Sequence, residues 1–524
     1  MSFQYLSFTI GAPLVGVAAI ALLPKRYTHL ARPVALIFSL ITLGFAIADT
    51  VAFKTGGPRF QLTENYAWIP TFHIDYSVGV DGVALVLILL AAVLVPVVLL
   101  AGWHDTEESV PGVEDGTRSV RAYFALILAL ETMMIGVFAA TDIFLFYVIF
   151  EALLIPAYFL IGSFGGARRS YAAVKFLLYN LLGGLLMLAA VIGLYVVSTH
   201  SFNGGTFNFP ALSDAVAHGH LPMAASTEKW LFLGFFVAFA VKAPLWPFHT
   251  WLPDAAAEAT PGTAVLLVGV LDKIGTFGML RFCLELFPNA SHFFTPLVLV
   301  LAVVSTIYGA LLAVGQTDIK RLIAYTSVSH FGLITIGVFA LTARGQVGAT
   351  LYMVNHGLST GALFLLAGFM ISRRRSTSVD AYGGVQKVAP LLAGTFLVAG
   401  LSSLALPGLS SFVSEFLVLV GTFEKYPAAA IVGTTSIVLA ALYILWLYQR
   451  TMTGPVTEQV QGFKDLSRRE LAVITPLLAL ILALGFVPSL LTNYINPAIN
   501  QTPGISQAAH PQSVAANQSN GSGQ

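Results

Sequence analysis

Long runs of apolar residues, separated by short polar segments, dominate the chain. Most of these runs reach or exceed the roughly 20 residues that an α-helix needs to cross the ~30 Å hydrocarbon core of a membrane. They do not alternate between apolar and polar positions, so they predict membrane-spanning helices and an all-α polytopic fold. We place about fourteen spans, at residues 5–23, 31–53, 82–103, 121–139, 141–163, 170–198, 229–247, 261–286, 292–314, 318–340, 346–372, 391–424, 427–449 and 470–493.

Composition agrees with this pattern and excludes a water-soluble protein. Hydrophobic residues make up 57% of the 524 residues, charged residues 10%, and the mean hydropathy is +0.82. A net charge of +1 provides no basic face for nucleic acid. The apolar segment from Phe8 to Leu23 lacks the basic leader of a signal peptide, so we expect it to be retained as the first helix.

The single cysteine limits the redox chemistry of the chain. Cys283 cannot supply the four thiolates of an iron–sulfur cluster, and it cannot form a disulfide within the chain. We therefore expect no cofactor and no metal in this chain. Any redox chemistry that drives it must take place in other subunits.

Lysine and arginine are distributed unequally between alternate loops, which predicts the orientation of the chain in the membrane. One set of loops contains 17 of these residues, for example Arg168, Arg373 and Arg469, and the other set contains only 5. The richer set should face the cytoplasm. Both termini then lie on the extracytoplasmic side of a bacterial plasma membrane, together with the polar tail 501–524, which we expect to be disordered.

The order of the segments predicts an internal repeat. Five segments from Arg121 to Phe287 are followed by five more from Phe293 to Gln449, and an odd number of helices makes successive copies point in opposite directions. In each copy the fourth segment is broken near an ionisable residue. The predicted divisions are spans one to three in 1–110, the repeats in 121–287 and 292–450, the last span in 470–493, and the tail.

Ionisable side chains within these spans are the candidates for function, because a charge near the bilayer centre costs on the order of 3 kcal/mol and persists only for a reason. Lys242 precedes Pro244 in the first broken segment, and Glu415 follows Pro407 in the second. We expect Glu151 and Lys242 to form an adjustable pair across two helices, and histidine to relay protons. The full set is Glu131, Asp142, Glu151, Lys242, His249, Asp272, Lys273, His330, His356 and Glu415.

Structural explanations of the same residues stay open at this point. Glu151 and Lys242 could form a static ion pair that fixes helix packing. Lys273 and Glu415 could end at the interface and extend their charges into water. His330 and His356 could hydrogen-bond neighbouring helices or ligate a haem. The sequence does not assign roles to Glu131, Asp142 or Asp272.

Seven segments resemble the antiporter-like membrane subunits of respiratory complex I, and in particular the M branch of that family. They are VGVDGVALVLILL at Val78, FAATDIFLFYVIFEALLIPAYFLIG at Phe138, FAVKAPLWPFHTWLPDAAAEAT at Phe239, DKIGTFGMLRF at Asp272, QTDIKRLIAYTSVSHFG at Gln316, MVNHGLSTGALFLLAG at Met353 and SSLALPGLSSFVSEF at Ser402. Together they extend over most of residues 75–425.

This resemblance implies a role for each candidate. Glu151 matches the family's carboxylate on the fifth helix, Lys242 the lysine of the broken seventh helix, and Lys273 the central lysine of the eighth. His249, His330 and His356 match histidines on or beside the hydrophilic axis, and Glu415 matches the terminal residue of the broken twelfth helix. Glutamate at that last position distinguishes the M branch, because the L and N branches and the cation/proton antiporter subunits have lysine there.

The resemblance also implies partners and a source of energy. NADH, FMN, iron–sulfur clusters and quinone are expected in partner subunits, and two similar antiporter-like subunits are expected beside this chain in the membrane. The expected function is proton translocation along the buried Glu/Lys/His axis. The alternatives are a subunit of a cation/proton antiporter or of a membrane-bound hydrogenase, and a membrane scaffold whose charges are structural.

Overall fold

The computed structural model describes residues 4–107 and 119–502, and these residues are predominantly helical. Twelve of the helices in these ranges are long and apolar enough to cross a membrane. The remaining two predicted spans, 229–247 and 391–424, fall on segments where a helix is interrupted. The polytopic helical fold is therefore confirmed, whereas the exact number of crossings and the repeat relationship stay predictions.

The N-terminal part contains three long helices and one feature that the all-α prediction missed. Helix α1 is Tyr5–Leu22, α2 is Ala31–Ala52 and α3 is Gly82–Ala101. Between α2 and α3, strands β1 (Gln61–Ile69) and β2 (Ile74–Val80) form an antiparallel hairpin. The apolar pattern did not predict this hairpin, because its strands mix polar and aromatic residues and lie between the apolar runs that predict helices.

The next ten helices cover the region of the first predicted repeat. They are α4 (Val120–Ala139), α5 (Ile143–Ala152), α6 (Leu154–Phe164), α7 (Arg169–Ser198), α8 (Phe209–Ala217), α9 (Ala225–Lys242), α10 (Trp251–Glu258), α11 (Pro261–Leu266), α12 (Asp272–Gly278) and α13 (Leu284–Leu286). Helices α5 and α6 follow each other without a loop. Helices α11 to α13 form one continuous rod, joined by π-helical turns at Leu267–Leu271 and Met279–Cys283.

The helical conformation is interrupted between α9 and α10, as the prolines predict. Pro244 and Pro247 have no backbone N–H, so the helix ends at Lys242 and its last carbonyls need other partners. Trp251 supplies one of them, because its indole nitrogen donates to the carbonyl of Val241 at 2.9 Å. The amide of Trp246 donates to Ser305 Oγ at 3.2 Å. The unwound segment is thus satisfied by protein groups rather than by lipid.

The region of the second predicted repeat has the same kind of break. Its helices are α14 (Pro288–Val314), α15 (Ile319–Phe339), α16 (Ala343–Arg374), α17 (Val385–Val388), α18 (Pro390–Ser403), α19 (Ser410–Phe423) and α20 (Pro427–Met452). Between α18 and α19, Gly408 has a φ of +92°, which glycine adopts without strain. Asn355 donates from its side-chain nitrogen to the carbonyl of Ser410 at 2.7 Å, so α16 supports the start of α19.

The last predicted span, 470–493, is divided in the structure. Helix α21 is Arg468–Phe486 and α22 is Ser489–Asn500. Pro488 follows Val487, and a residue before proline disfavours the helical conformation, so α21 ends there. The predicted disordered tail lies almost entirely outside the described residues.

Candidate functional site

Six of the seven predicted site residues are buried: Lys242, His249, Lys273, His330, His356 and Glu415. Glu151, at the end of α5, is partly buried. Burial of this many ionisable side chains inside a membrane fold excludes the explanation that Lys273 and Glu415 extend their charges to the interface. The contacts of these residues then decide which of them act together.

Lys273 and His356 are in direct contact between α12 and α16. The distance from Lys273 Nζ to His356 Nδ1 is 2.7 Å, and Lys273 also donates to the carbonyl of Val268. Val268 lies in the π-helical turn that precedes α12. A π-helical turn displaces the regular hydrogen bonds and is frequent at functional sites, and here it leaves a carbonyl that the lysine can use.

A second series of hydrogen bonds joins His330 on α15 to Glu415 on α19. His330 Nδ1 lies 2.5 Å from the hydroxyl of Tyr352, and that hydroxyl donates to Glu415 Oε1. His330 Nδ1 is 3.8 Å from the same carboxylate oxygen. On the other side of the ring, His330 Nε2 lies 3.4 Å from the hydroxyl of Tyr443 and 3.5 Å from that of Ser403.

The Lys273–His356 pair and the series from His330 to Glu415 approach each other at the two histidines. The ring centroids of His330 and His356 are 5.3 Å apart, and His356 Nε2 is buried without a hydrogen-bond partner among the described residues. The site is therefore an almost continuous series from Lys273 through His356, His330 and Tyr352 to Glu415. Tyr352 was missed because only carboxylates, lysines and histidines were considered. Its spacing of four residues from His356, which puts both on one helix face, could have revealed it.

Glu151 and Lys242 are close but do not form an ion pair in the structure. Lys242 Nζ has no hydrogen-bond partner in the described part of the chain, and it lies 4.8 Å from the ring centroid of Phe150. The carboxylate of Glu151 lies against Gly184 of α7, where an added Cβ would stand 1.6 Å from Oε1. The expected pair thus has no direct contact here, although its two charges interact electrostatically.

His249 lies in the break between α9 and α10, apart from the series that ends at Glu415. Its ring packs near Tyr308, with centroids 5.4 Å apart, and Nδ1 is buried without a partner in the described residues. Within the described residues, no hydrogen bond joins His249 to Lys242 or Lys273. The structure therefore brings six of the seven predicted site residues into two groups, the series from Lys273 to Glu415 and the neighbours Glu151 and Lys242, and leaves His249 beside them.

Comparison with known proteins identifies the family to which the chain belongs. The family described as NADH:quinone oxidoreductase/Mrp antiporter membrane subunits matches residues 140–440, which is more than half of the chain. The chain belongs to this family. The match contains Glu151 and both broken helices, so the two groups of site residues lie within the part that defines the NADH:quinone oxidoreductase/Mrp antiporter family.

Individual relatives give a finer comparison. NADH-quinone oxidoreductase subunit M of Mycobacterium tuberculosis H37Rv is 54% identical over 510 residues, covering 94% of this chain and 92% of the relative. A chain of respiratory complex I from Thermus thermophilus superposes with a TM-score of 0.84 at 30% identity, covering 95% of this chain and 99% of the other. A chain of the Mrp complex from Dietzia sp. gives 0.80 at 20% identity, with coverages of 96% and 98%, which shows the shared fold alone.

Asp142, which the sequence left unassigned, has a structural role in this member of the antiporter family. Its carboxylate accepts from the amide of Leu145 at 2.9 Å, which caps α5, and from the amide of Asp75 at 3.2 Å, which ties the β-hairpin to that helix. Glu131 and Asp272 differ from it, because all four of their carboxylate oxygens are buried without a partner among the described residues.

A buried network of four charges anchors the other end of the rod that carries Lys273. Arg281 donates to Asp81 Oδ1 at 2.7 Å, and Arg59 donates to Glu285 at 2.8 and 2.5 Å. Asp81 also caps α3 by accepting from the amides of Val83 and Ala84. Burial would raise the pKa of Asp81, but Arg281 and Arg59 outweigh it and hold that pKa below its ordinary value. The sequence does not reveal this network, because its members are far apart in the chain.

We expect Asp81→Ala to destabilise the folded chain by about 3–5 kcal/mol, because it leaves the buried guanidinium of Arg281 without its carboxylate partner. Thermal unfolding of the purified protein in detergent measures this. The matched control is Asp380→Ala, which removes an exposed ion pair with Arg450 and should cost less than about 1 kcal/mol. Equal unfolding temperatures for the two variants would contradict a stabilising role of the network.

Proposed function

We propose that this chain is the proton-translocating subunit M of an NADH–quinone oxidoreductase. The observation that carries the proposal is the buried series from Lys273 to Glu415, in which ionisable groups on four helices meet inside a membrane fold. The relative of that name at 54% identity supports it. The chain acts without a redox centre of its own. NADH, FMN, iron–sulfur clusters and quinone belong to partner subunits.

The hydrogen bonds give the series a direction. When Lys273 is protonated it donates to His356 Nδ1, so the neutral His356 ring carries its own proton on Nε2, a tautomer assigned from the partners. The hydroxyl of Tyr352 donates to Glu415, so it accepts from His330 Nδ1. A proton that reaches His356 at Nδ1 displaces one from Nε2. The displaced proton enters His330 at Nε2 and leaves at Nδ1 through Tyr352 to Glu415.

The transfer between the two histidines and the approach of Glu151 to Lys242 each need a movement or a water molecule. The rings of His356 and His330 are adjacent without a direct hydrogen bond, and Glu151 is separated from Lys242. If Glu151 approaches Lys242 to about 4 Å, the attraction at an effective dielectric near 20 is roughly 4 kcal/mol. Lys242 then holds its proton, and it releases that proton when the carboxylate withdraws to the position against Gly184.

The surroundings of the chain complete the proposal. Two similar antiporter-like subunits lie beside it in a bacterial plasma membrane, with both of its termini outside the cytoplasm, and lipid covers the apolar outer helices. A cation/proton antiporter subunit is the second candidate, since the Mrp chain shares the fold. Glu415 favours the first candidate, because the resemblance to antiporter subunits implies lysine at that position.

Purification of the chain from its native membrane, followed by mass spectrometry of its partners, tests the assignment. We expect NADH-oxidising and quinone-reducing subunits and two further antiporter-like chains in the same complex. Recovery of the chain with cation-antiporter subunits only would refute the proposal. NADH oxidation by the isolated complex, coupled to acidification of vesicles, provides the functional control.

Tyr352→Phe and Glu415→Gln should both reduce proton pumping in an assembled complex, because each removes a proton-exchanging group and keeps the shape. Groups of this kind contribute ~10²–10⁴-fold to proton transfer, so we expect at least about a tenfold loss. Quenching of a pH-sensitive dye in inverted vesicles, with NADH as substrate, measures it. The matched control is Tyr66→Phe, which changes an exposed tyrosine on strand β1 of the hairpin. Normal pumping by both variants would remove Tyr352 and Glu415 from the route.

Gly184→Ala should displace the Glu151 carboxylate and leave the helices in place, because only the end of that side chain occupies the space of the new methyl group. A displacement of about 1 Å at a reacting group can cost ~10²-fold, so we expect pumping to fall at least about fivefold. Gly44→Ala on α2 is the control, since nothing lies within 4 Å of its added Cβ. If both variants pump alike, proton pumping does not depend on the position of Glu151 against Gly184.

A further inference from the structure

Asp272 is a buried carboxylate that the route described so far does not use. It is fully buried at the start of α12, and neither of its oxygens has a hydrogen-bond partner in the described residues. An ionised carboxylate in such surroundings is costly unless a cation compensates it. Asp142 and Asp81 avoid that cost through backbone amides and arginines. Asp272 has neither kind of partner among the described residues, so other groups packed around it must compensate for its burial.

The face of α12 that carries Asp272 is directed at the end of α9. Gly275 lies one turn further along the same face, and a Cβ there would stand 2.6 Å from both the carbonyl oxygen of Phe239 and the amide nitrogen of Ala243. Ala243 follows Lys242 in the chain. The absence of a side chain at Gly275 thus lets the helix carrying Asp272 approach the point where Lys242 ends α9.

Asp272 interacts electrostatically with two lysines, Lys273 beside it and Lys242 on the facing helix. Lys242 has two such carboxylate partners, Glu151 and Asp272. Lys242 Nζ is itself buried without a hydrogen-bond partner among the described residues. The carboxylate of Asp272 and the amine of Lys242 therefore lie on packed faces of α12 and α9, and neither has a hydrogen-bond partner in the part of the chain that the structure describes.

We propose that Asp272 is a proton-exchanging site between Lys242 and Lys273, an inference that rests on the proposed function. In the first step an N–H bond of the Lys242 ammonium breaks and an O–H bond forms on Asp272, which leaves a neutral amine and a carboxylic acid. In the second step that O–H bond breaks and the amine of Lys273 becomes an ammonium. The carboxylate is restored, and no electrons are transferred.

A carboxylate at this position solves a problem that two lysines alone would have. Two lysines that share one proton hold an uncompensated ammonium in a low-dielectric interior wherever that proton is, which is costly. Asp272 carries the opposite charge when the proton is on a lysine, and it is neutral when it holds the proton itself. The total charge of the three groups is then unchanged at every step.

Infrared difference spectroscopy and proton pumping of the assembled complex in membranes test the inference. In the wild-type complex, NADH addition should change the C=O stretching band of a buried carboxylic acid. Asp272→Asn should abolish that change and lower pumping at least about tenfold, as expected for loss of a proton-transfer group. Asp272→Glu should shift the band and retain more pumping than Asp272→Asn.

Glu131→Gln is the matched control, because Glu131 is also a fully buried, unpartnered carboxylate but neither lysine interacts with it. It should leave the Asp272 band and pumping unchanged. Loss of pumping in Asp272→Asn without any protonation change in the wild type would make Asp272 a static counter-charge and overturn the inference. If Asp272→Asn fails to assemble, the wild-type band and its shift in Asp272→Glu decide.

Lys242→Ala separates this inference from the proposed function. If Asp272→Asn pumps normally while Lys242→Ala does not, the inference about Asp272 is wrong and proton translocation by this chain stands. If an assembled Lys242→Ala complex also pumps normally, the proposed route through the chain fails, and the inference fails with it.

Discussion

The need to enclose polar groups within protein, away from lipid, governs this structure. Charges and unwound backbone survive at membrane depth only where other helices surround them. In the rod Pro261–Leu286, every residue of the 18-residue apolar stretch is buried, and in α15 and α16 the buried share of that stretch is 94%. In α1 and α2 it is only 28%. The central helices therefore carry Lys273, His330 and His356. The outer helices, which lipid can cover, carry mainly apolar side chains, and the one buried carboxylate of α2, Asp49, accepts a hydrogen bond from Thr9 of α1.

The same requirement explains which carboxylates are structural. Asp81 and Asp142 accept hydrogen bonds from backbone amides, so their charge is balanced in the folded chain and their removal should cost stability. Glu151 and Asp272 retain buried oxygens with no partner in the described residues. A folded protein gains nothing from leaving such oxygens unsatisfied. Glu151 and Asp272 also have a lysine in electrostatic contact, which Glu131 lacks, and this combination suits a group that has to be tolerated with and without its proton.

Elements with a strong local signal could be predicted from the sequence. Apolar runs located the helices, and Pro244 and Pro407 located the breaks, because proline acts on its own turn of helix. The β-hairpin has no such signal, since its polar and aromatic residues alternate weakly. Contacts between distant residues were also out of reach. Tyr352 joins His330 to Glu415 only because α15, α16 and α19 meet, and Arg281 meets Asp81 across 200 positions of the chain.

The gaps in the series are as informative as its contacts. A proton route closed at every step would let protons leak down their gradient, so a pump must interrupt it. Here the contacts of Lys273 with His356 and of Tyr352 with Glu415 are short, while Glu151 and Lys242 are separated and the two histidine rings lack a direct hydrogen bond. Lys242 ends α9 at the first helix break. Glu415 belongs to α19, which begins at the second. A small movement at the first break can therefore bring Lys242 and Glu151 together without disturbing the rods behind it. The other gap lies between His330 and His356 on the continuous helices α15 and α16, so a water molecule or a ring rotation has to close it.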